Sequence, residues 1–182
     1  MSLRDRTYTT EAVILARKNY GEADRLLTIF SKHYGKLRVI AKGIRRPTSR
    51  KKAALELFNH VRLFIAKGKN LDIITEAETK DGFSGWRKDL TKVGVAYHLA
   101  ELVTMLLPER QEHKEVFDLL LESFRSLSKL DYWSLYPFIQ SFKIGLLEEL
   151  GYIERGRNAP RNLDHFIEDL INSELKTKRF LK

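Results

Sequence analysis

Over roughly the first eighty residues, apolar and polar positions alternate with a period of two; beyond residue 84 the apolar positions recur at i, i+3 and i+4. Alternation puts one face of a strand on a core, and the longer spacing does the same for a helix. The switch divides the chain into a strand-forming part and a helix-forming part.

The strand part resolves into five segments. Thr7–Arg17 (TYTTEAVILAR), rich in β-branched and aromatic residues, predicts a first strand, and Asn19-Tyr20-Gly21 a turn. Arg25–Ser31 is the second strand, and His33–Lys36 turns into a third over Lys36–Lys42. There Leu37, Val39 and Ala41 share one face, while Lys36, Arg38, Ile40 and Lys42 share the other. A loop follows over Arg45–Lys52, with a short helix predicted around Ala53–Leu57. Phe58–Lys67 reads as the fourth strand, because Val61, Leu63 and Ile65 alternate against Arg62 and Phe64. Gly68-Lys69-Asn70 is a hairpin turn into a fifth strand over Leu71–Thr79. Five short strands with the longest link between the third and fourth predict an OB-fold; an SH3-like barrel has nearly the same strand count.

Asp81-Gly82 ends this pattern. Val93, Ala96, Tyr97, Ala100, Val103, Thr104 and Leu107 form a helical stripe that stops at Pro108. Val116, Leu120, Phe124 and Leu127 form a second stripe. Leu135, Phe138, Ile139, Phe142, Leu146, Leu147 and Leu150 form a third, with Gly151 placed for a C-cap. Asn162 is positioned as the N-cap of a fourth, carrying Leu163, Phe166, Ile167, Leu170, Ile171 and Leu175. The expected architecture is α+β: a five-stranded OB barrel over residues 1–80 and a four-helix bundle over 84–182, with the boundary at Lys80–Ser84.

Charge sharpens this division. Of the net +9, residues 1–80 carry 18 Lys/Arg against 8 Asp/Glu, and the remainder 15 against 16. The excess concentrates in KLRVIAKGIRRPTSRKK, where Lys36, Arg38, Lys42, Arg45, Arg46, Arg50, Lys51 and Lys52 occur with no acid; none falls between Asp24 and Glu56. A solvated face normally mixes signs, so a one-sign run on a strand and its loop marks a track for a polyanion rather than a solubilising surface. Single strands also use stacking platforms. Tyr34, in a turn between His33 and Gly35, is the candidate exposed ring, whereas Tyr20, Phe30, Phe58 and Phe64 are expected in the core. The aromatic segment Tyr132–Tyr152 is also read as core, with part of it free to line a groove for a partner peptide.

Other chemistries find no support. The chain has no cysteine, which removes disulfides, a thiol nucleophile and thiolate-bound zinc. His33, His60, His98, His113 and His165 show no metal spacing, and Glu148-Glu149 and Glu168-Asp169 are adjacent acids that splay apart on a helix. No Walker A loop, nucleophile elbow or dinucleotide fingerprint occurs. No cofactor, metal or catalytic residue is expected. No apolar run is long enough to span a bilayer and no signal-peptide core opens the chain, which suits a cytoplasmic setting.

Arg17…Tyr20-Gly21-Glu22…Asp24, then Gly35-Lys36, then Ala41-Lys42-Gly43-Ile44-Arg45-Arg46…Ser49-Arg50 resembles the N-terminal signature of the RecO recombination-mediator proteins. The likeness continues through Ala96-Tyr97…Glu101-Leu102 and Phe142…Leu146-Leu147-Glu148-Glu149-Leu150-Gly151-Tyr152. It implies an N-terminal OB-fold that binds single- and double-stranded DNA, followed by a helical domain. It further implies annealing of complementary strands and help in loading the RecA recombinase onto coated strands. RecR and the C-terminal tail of single-stranded-DNA-binding protein are the implied partners, and a nucleoid-associated location follows. By position, Lys36, Lys42, Arg45, Arg46 and Arg50 are the implied DNA contacts. Many members follow the Leu-Gly-Tyr segment with a cysteine cluster resembling a zinc site. Here IERGRNAPRNLDHF follows instead, so a shortened, zinc-independent member is expected.

The leading expectation is therefore a non-enzymatic DNA-binding and annealing factor in recombinational repair. Two rivals fit parts of the pattern: an RNA-binding OB module of the translation apparatus, and an adaptor whose helical bundle captures an acidic peptide. A metal-dependent nuclease lacks a ligand set.

Overall fold

The computed structural model describes residues 6–180; the outer ends of the two predicted domains, 1–5 and 181–182, lie outside the described residues. The chain forms two compact units. The first holds the residues up to Gly82 together with Pro108–Lys114; the second holds Phe83–Leu107 and the residues from Glu115 onward.

In the first unit, β1 (Thr7–Tyr20), β2 (Asp24–Ser31), β3 (Gly35–Ala41), β4 (His60–Ala66) and β5 (Asp72–Asp81) close in the order β1-β2-β3-β5-β4. All pairings are antiparallel except β3 with β5, which meet in parallel at Val39↔Asp72 and Ile40↔Ile73. This is the OB-fold expected from the alternation. β1 serves two neighbours: its first half pairs with β4, and its second half pairs with β2 across a bulge between Ile14 and Ala16. The extra residue bends the strand and increases its twist, letting one strand turn the barrel corner. Ala12, Ile14, Leu27, Ile29, Leu37, Val39, Val61, Leu63, Ile65 and Ile74 point inward and are at most 3% exposed. Burying each larger side chain among them stabilises the fold by about 1.5–3 kcal/mol relative to leaving it in water.

Several local expectations are corrected. β1 runs on through Asn19 and Tyr20, and the turn falls at Gly21 (φ +55°), because Tyr20 still pairs with Asp24. Tyr20 is exposed rather than in the core. No helix forms over Ala53–Leu57. A single helical turn, with Leu55 N–H donating to the Lys51 carbonyl (3.1 Å), stops there. It stops because Ala54 and Leu55 are drawn into the barrel core and Phe58 takes a left-handed φ of +68°. Phe58 and Asn59 therefore precede β4, which begins at His60.

The Pro108–Lys114 segment packs along the start of β3. Glu109 makes a parallel bridge to Lys36, and the Arg110 N–H donates to the Lys36 carbonyl at 2.9 Å. Gly35 permits this approach: its φ is +66°, and a Cβ there would lie 1.9 Å from the Gln111 carbonyl oxygen.

The second unit contains α1 (Leu90–Leu106), α2 (Lys114–Ser126), α3 (Tyr132–Glu149) and α4 (Leu163–Ile171). Asp89, Asp131 and Asn162 cap α1, α3 and α4 through side-chain oxygens that accept from backbone N–H groups at 2.8–3.2 Å. α1 is buried on nearly every side, with Val95, Leu99, Leu102 and His98 at 0% exposure, so it is the central helix rather than one with a single apolar stripe. Tyr97, predicted within that stripe, is 40% exposed. Gly151 (φ +76°) ends α3 as predicted, donating to the Glu148 carbonyl while Tyr152 N–H reaches Leu147. The aromatic segment departs from the core reading: Tyr132, Trp133 and Tyr136 are 65–83% exposed, and only Phe142 is buried. They occupy the first turns of α3, whose buried positions are taken by Leu135 and Ile139. Leu170, expected on the buried stripe of α4, is likewise exposed.

Candidate nucleic-acid interface

The alternation of β3 is realised directly. Leu37, Val39 and Ala41 enter the core, Arg38 is exposed outward, Lys36 is half-buried, and Ile40, although outward, is also buried. Beyond Ala41 the chain leaves the barrel in a loop whose backbone is tied down at several points. Gly43 (φ +65°) donates its N–H to Asp24 Oδ1 at 2.7 Å, and Arg45 N–H donates to the Ala23 carbonyl at 2.9 Å. Arg46 N–H reaches Gly43 and Ser49 N–H reaches Arg46, both at 3.1 Å. Ile44, Ala54 and Leu55 are pulled into the core. With its apolar residues and backbone anchored, the loop presents its cations outward.

These cations gather around a cleft of about 670 Å³ between the loop and β5. Lys42, Arg46, Arg50 and Lys51 line it with the hydroxyls of Thr48 and Ser49, and Glu76 of β5 is its one acidic lining residue. Among the described residues, Lys42, Arg46 and Arg50 enter no ion pair. Three unpaired cations beside hydroxyl donors suit the non-bridging oxygens of a phosphate backbone.

The remaining predicted residues are placed differently. Lys51 is half-buried, its Nζ donates to the Ile74 carbonyl at 2.9 Å, and burial lowers its pKa. Part of its role is therefore to pin the loop to β5. Arg45 is exposed outside the cleft, with Nη1 on the Gly21 carbonyl at 3.3 Å. Lys52 is exposed beyond it. Arg38 stands on the sheet beside Thr28 of β2. Lys36, at the start of β3, has its pKa lowered by burial, with the Glu109 carboxylate opposing the shift.

Tyr34 belongs to a second cleft at that end of β3. It is 43% exposed, and its ring lies 4.6 Å from that of Tyr8. Phe30 and Phe58 are buried, as expected of core aromatics.

Sequence reasoning missed Asp24, whose carboxylate shapes the loop, and Tyr8, Asp72 and Arg110, which build the second cleft. Asp24 had a signal in being the last acid before the basic run. The others come together only through barrel closure and the return of the Pro108–Lys114 segment.

Among the described residues no three His, Asp or Glu side chains converge on a metal position, and the sequence has no cysteine. Among the described residues no helix is long and apolar enough to cross a membrane.

Comparison with known proteins bears on the same two parts of the chain. Residues 1–83 match the family model described as recombination protein O N terminal, and residues 87–155 match that described as recombination protein O C terminal. The chain is 42% identical over 150 residues to the DNA repair protein RecO of Roseiflexus sp. (strain RS-1), covering 82% of this chain and 52% of that protein. It is 38% identical over 150 residues to the DNA repair protein RecO of Heliobacterium modesticaldum, covering 81% and 52%. Against that of Thermoanaerobacter sp. (strain X514) the figures are 34% over 154 residues, 85% and 62%. The chain thus spans about half the length of the first of these relatives. An OB barrel with a cationic β3–β4 loop, a helical unit behind it in sequence, and these matches across both mean that the chain belongs to the recombination protein O (RecO) family of DNA repair proteins.

Proposed function

We propose that this chain binds DNA backbones through the cleft lined by Lys42, Arg46 and Arg50, and promotes annealing of complementary strands without hydrolysis or a cofactor. The carrying observation is that these three cations share one cleft and enter no ion pair among the described residues. Their charge is therefore available to displace counterions from a phosphate backbone, an interaction that does not read sequence. Neutralising phosphates on two strands lowers their mutual repulsion, so base pairing can nucleate.

Family membership supports a wider role in recombinational repair. In this reading the chain acts in the cytoplasm at the nucleoid. The barrel (residues 1–80) handles single- and double-stranded DNA. The helical part (84–182) docks RecR and the acidic C-terminal tail of single-stranded-DNA-binding protein, assisting the loading of RecA. An apolar groove along α1, lined by Leu90, Thr91, Val93, Gly94 and Tyr97, supports peptide docking.

The test is annealing of complementary oligonucleotides, bare and coated with single-stranded-DNA-binding protein. The chain is expected to accelerate both. Acceleration of bare strands alone would remove the mediator role, and failure on both would remove annealing.

A further inference from the structure

At the end of β3 opposite the basic loop, the first unit carries a second cleft, of about 600 Å³. Its wall is aromatic: the Tyr8 and Tyr34 ring centroids are 4.6 Å apart, with the planes tilted by 51°. Tyr8 is fixed, because its hydroxyl donates to Asp72 Oδ2 at 2.7 Å, while Asp72 Oδ1 accepts the Gly68 N–H at 3.2 Å and Asp72 is only 7% exposed. Tyr34 is held through its backbone, whose N–H donates to Ser31 Oγ at 3.2 Å; that hydroxyl is in turn bonded to Thr10 Oγ1 at 2.7 Å. A ring braced from below and open above can stack with little ordering cost on binding.

Three cations face the same space. Lys67 and Lys69, in the β4–β5 turn, and Arg110 are exposed, and none enters an ion pair among the described residues. Arg110 is set there by a left-handed φ of +61° and by its N–H bond to the Lys36 carbonyl. The nearby acids are engaged: Asp72 accepts two hydrogen bonds, and Glu112 lies 3.3 Å from His33 Nδ1. A braced ring beside unpaired cations, in a space of this size, has the chemistry to take a nucleotide, with its base on the ring and its phosphate on the cations.

We propose that this cleft takes one unstacked nucleobase and its flanking phosphate from a single DNA strand, with Tyr34 as the stacking surface. The inference rests on the DNA-binding reading above and adds strand selectivity to it. Duplex DNA keeps its base faces inside its own stack and gains only phosphate contacts here. The basic loop is then indifferent to strandedness, and the aromatic cleft is not.

The intact chain, Tyr34→Ala and Tyr34→Phe are titrated by fluorescence anisotropy with oligothymidine, with a duplex of equal length, and with an equal-length abasic strand. Tyr34→Ala is expected to weaken oligothymidine binding roughly 5- to 150-fold while changing duplex binding less than about twofold. Tyr34→Phe, which keeps the ring, binds like the parent. The parent prefers oligothymidine over the abasic strand by the same factor, and Tyr34→Ala does not. Equal losses on single strand and duplex, or no loss on the single strand, would overturn the proposal. So would equal affinity of the unaltered parent for base-bearing and abasic strands, a comparison that stands even where Tyr34→Ala fails to fold. A parent that binds neither strand form at low salt would instead overturn the DNA-binding reading itself.

Discussion

Replacing Lys42, Arg46 and Arg50 together by alanine removes three exposed cations from one cleft and leaves its scaffold in place. The backbone bonds that shape the loop, from Gly43 N–H to Asp24 and from Arg46 N–H to Gly43, do not depend on those side chains. Lys51, bonded to the Ile74 carbonyl, still ties the loop to β5. On a single strand each neutralised phosphate contributes about −0.7 to the slope of log affinity against log salt, so losing three contacts makes the slope shallower by about 2. At about 0.1 M salt the same exponent makes each contact worth roughly fivefold, and the three together roughly a hundredfold. The assay is anisotropy of labelled oligonucleotides of several sequences across a salt series, with circular dichroism to confirm an intact fold. The loss should be alike for all sequences. An unchanged slope in a folded variant would refute the reasoning, and a loss confined to one sequence would point to base readout instead.

Gly35→Ala is expected to cost about 3 kcal/mol or more, since a left-handed φ of +66° is joined to an overlap with the Gln111 carbonyl; Gly21→Ala, at φ +55° with open space around it, should cost only about 1 kcal/mol, and thermal unfolding of the two would show the difference. Lys143 is 1% exposed and its Nζ is hydrogen-bonded to Asp164, which is about a third exposed. Asp164→Asn, which leaves a buried ammonium without its countercharge, should therefore cost about 3 kcal/mol, and Lys143→Met clearly less; the reverse order in denaturant titrations would contradict this. Burial, reinforced by the Lys143 charge, lowers the His98 pKa from 6.5 to about 4. The unfolded chain therefore takes up that proton first, and stability should fall by up to about 3 kcal/mol as pH drops through that interval. Glu11 and Glu168, whose pKa values are held down first by hydrogen bonds from Lys80 and Lys178, act only at lower pH. His98→Gln should accordingly flatten the upper part of the acid limb; an unchanged limb would show that His98 is not its source.

The parts of this structure legible in the sequence are those set by local periodicity. Leu37, Val39 and Ala41 alternate against Lys36 and Arg38 within one strand, with Lys42 opening the loop beyond it, so the basic character of this stretch could be read directly. Asn162 and Gly151 announce helix ends because capping is a short-range matter. What could not be read depends on residues far apart in the chain. Tyr8 meets Asp72 only when β1, β4 and β5 close, and Arg110 reaches the barrel from beyond α1. The predicted helix near Ala53 failed for the same reason, since burial of Ala54 and Leu55 in the barrel overrode local propensity. The aromatics of α3 misled in the opposite direction: Leu135 and Ile139 fill the buried face, and Trp133 and Tyr136 are left in solvent.

The most direct measurement is amide chemical-shift mapping of the isotope-labelled chain as oligothymidine is added. The account predicts that Gly43, Thr48, Ser49 and Arg50 shift with Thr75 across the cleft, and that added salt reverses these shifts. Perturbations confined to the helical unit, with the β3–β4 loop unmoved, would contradict it.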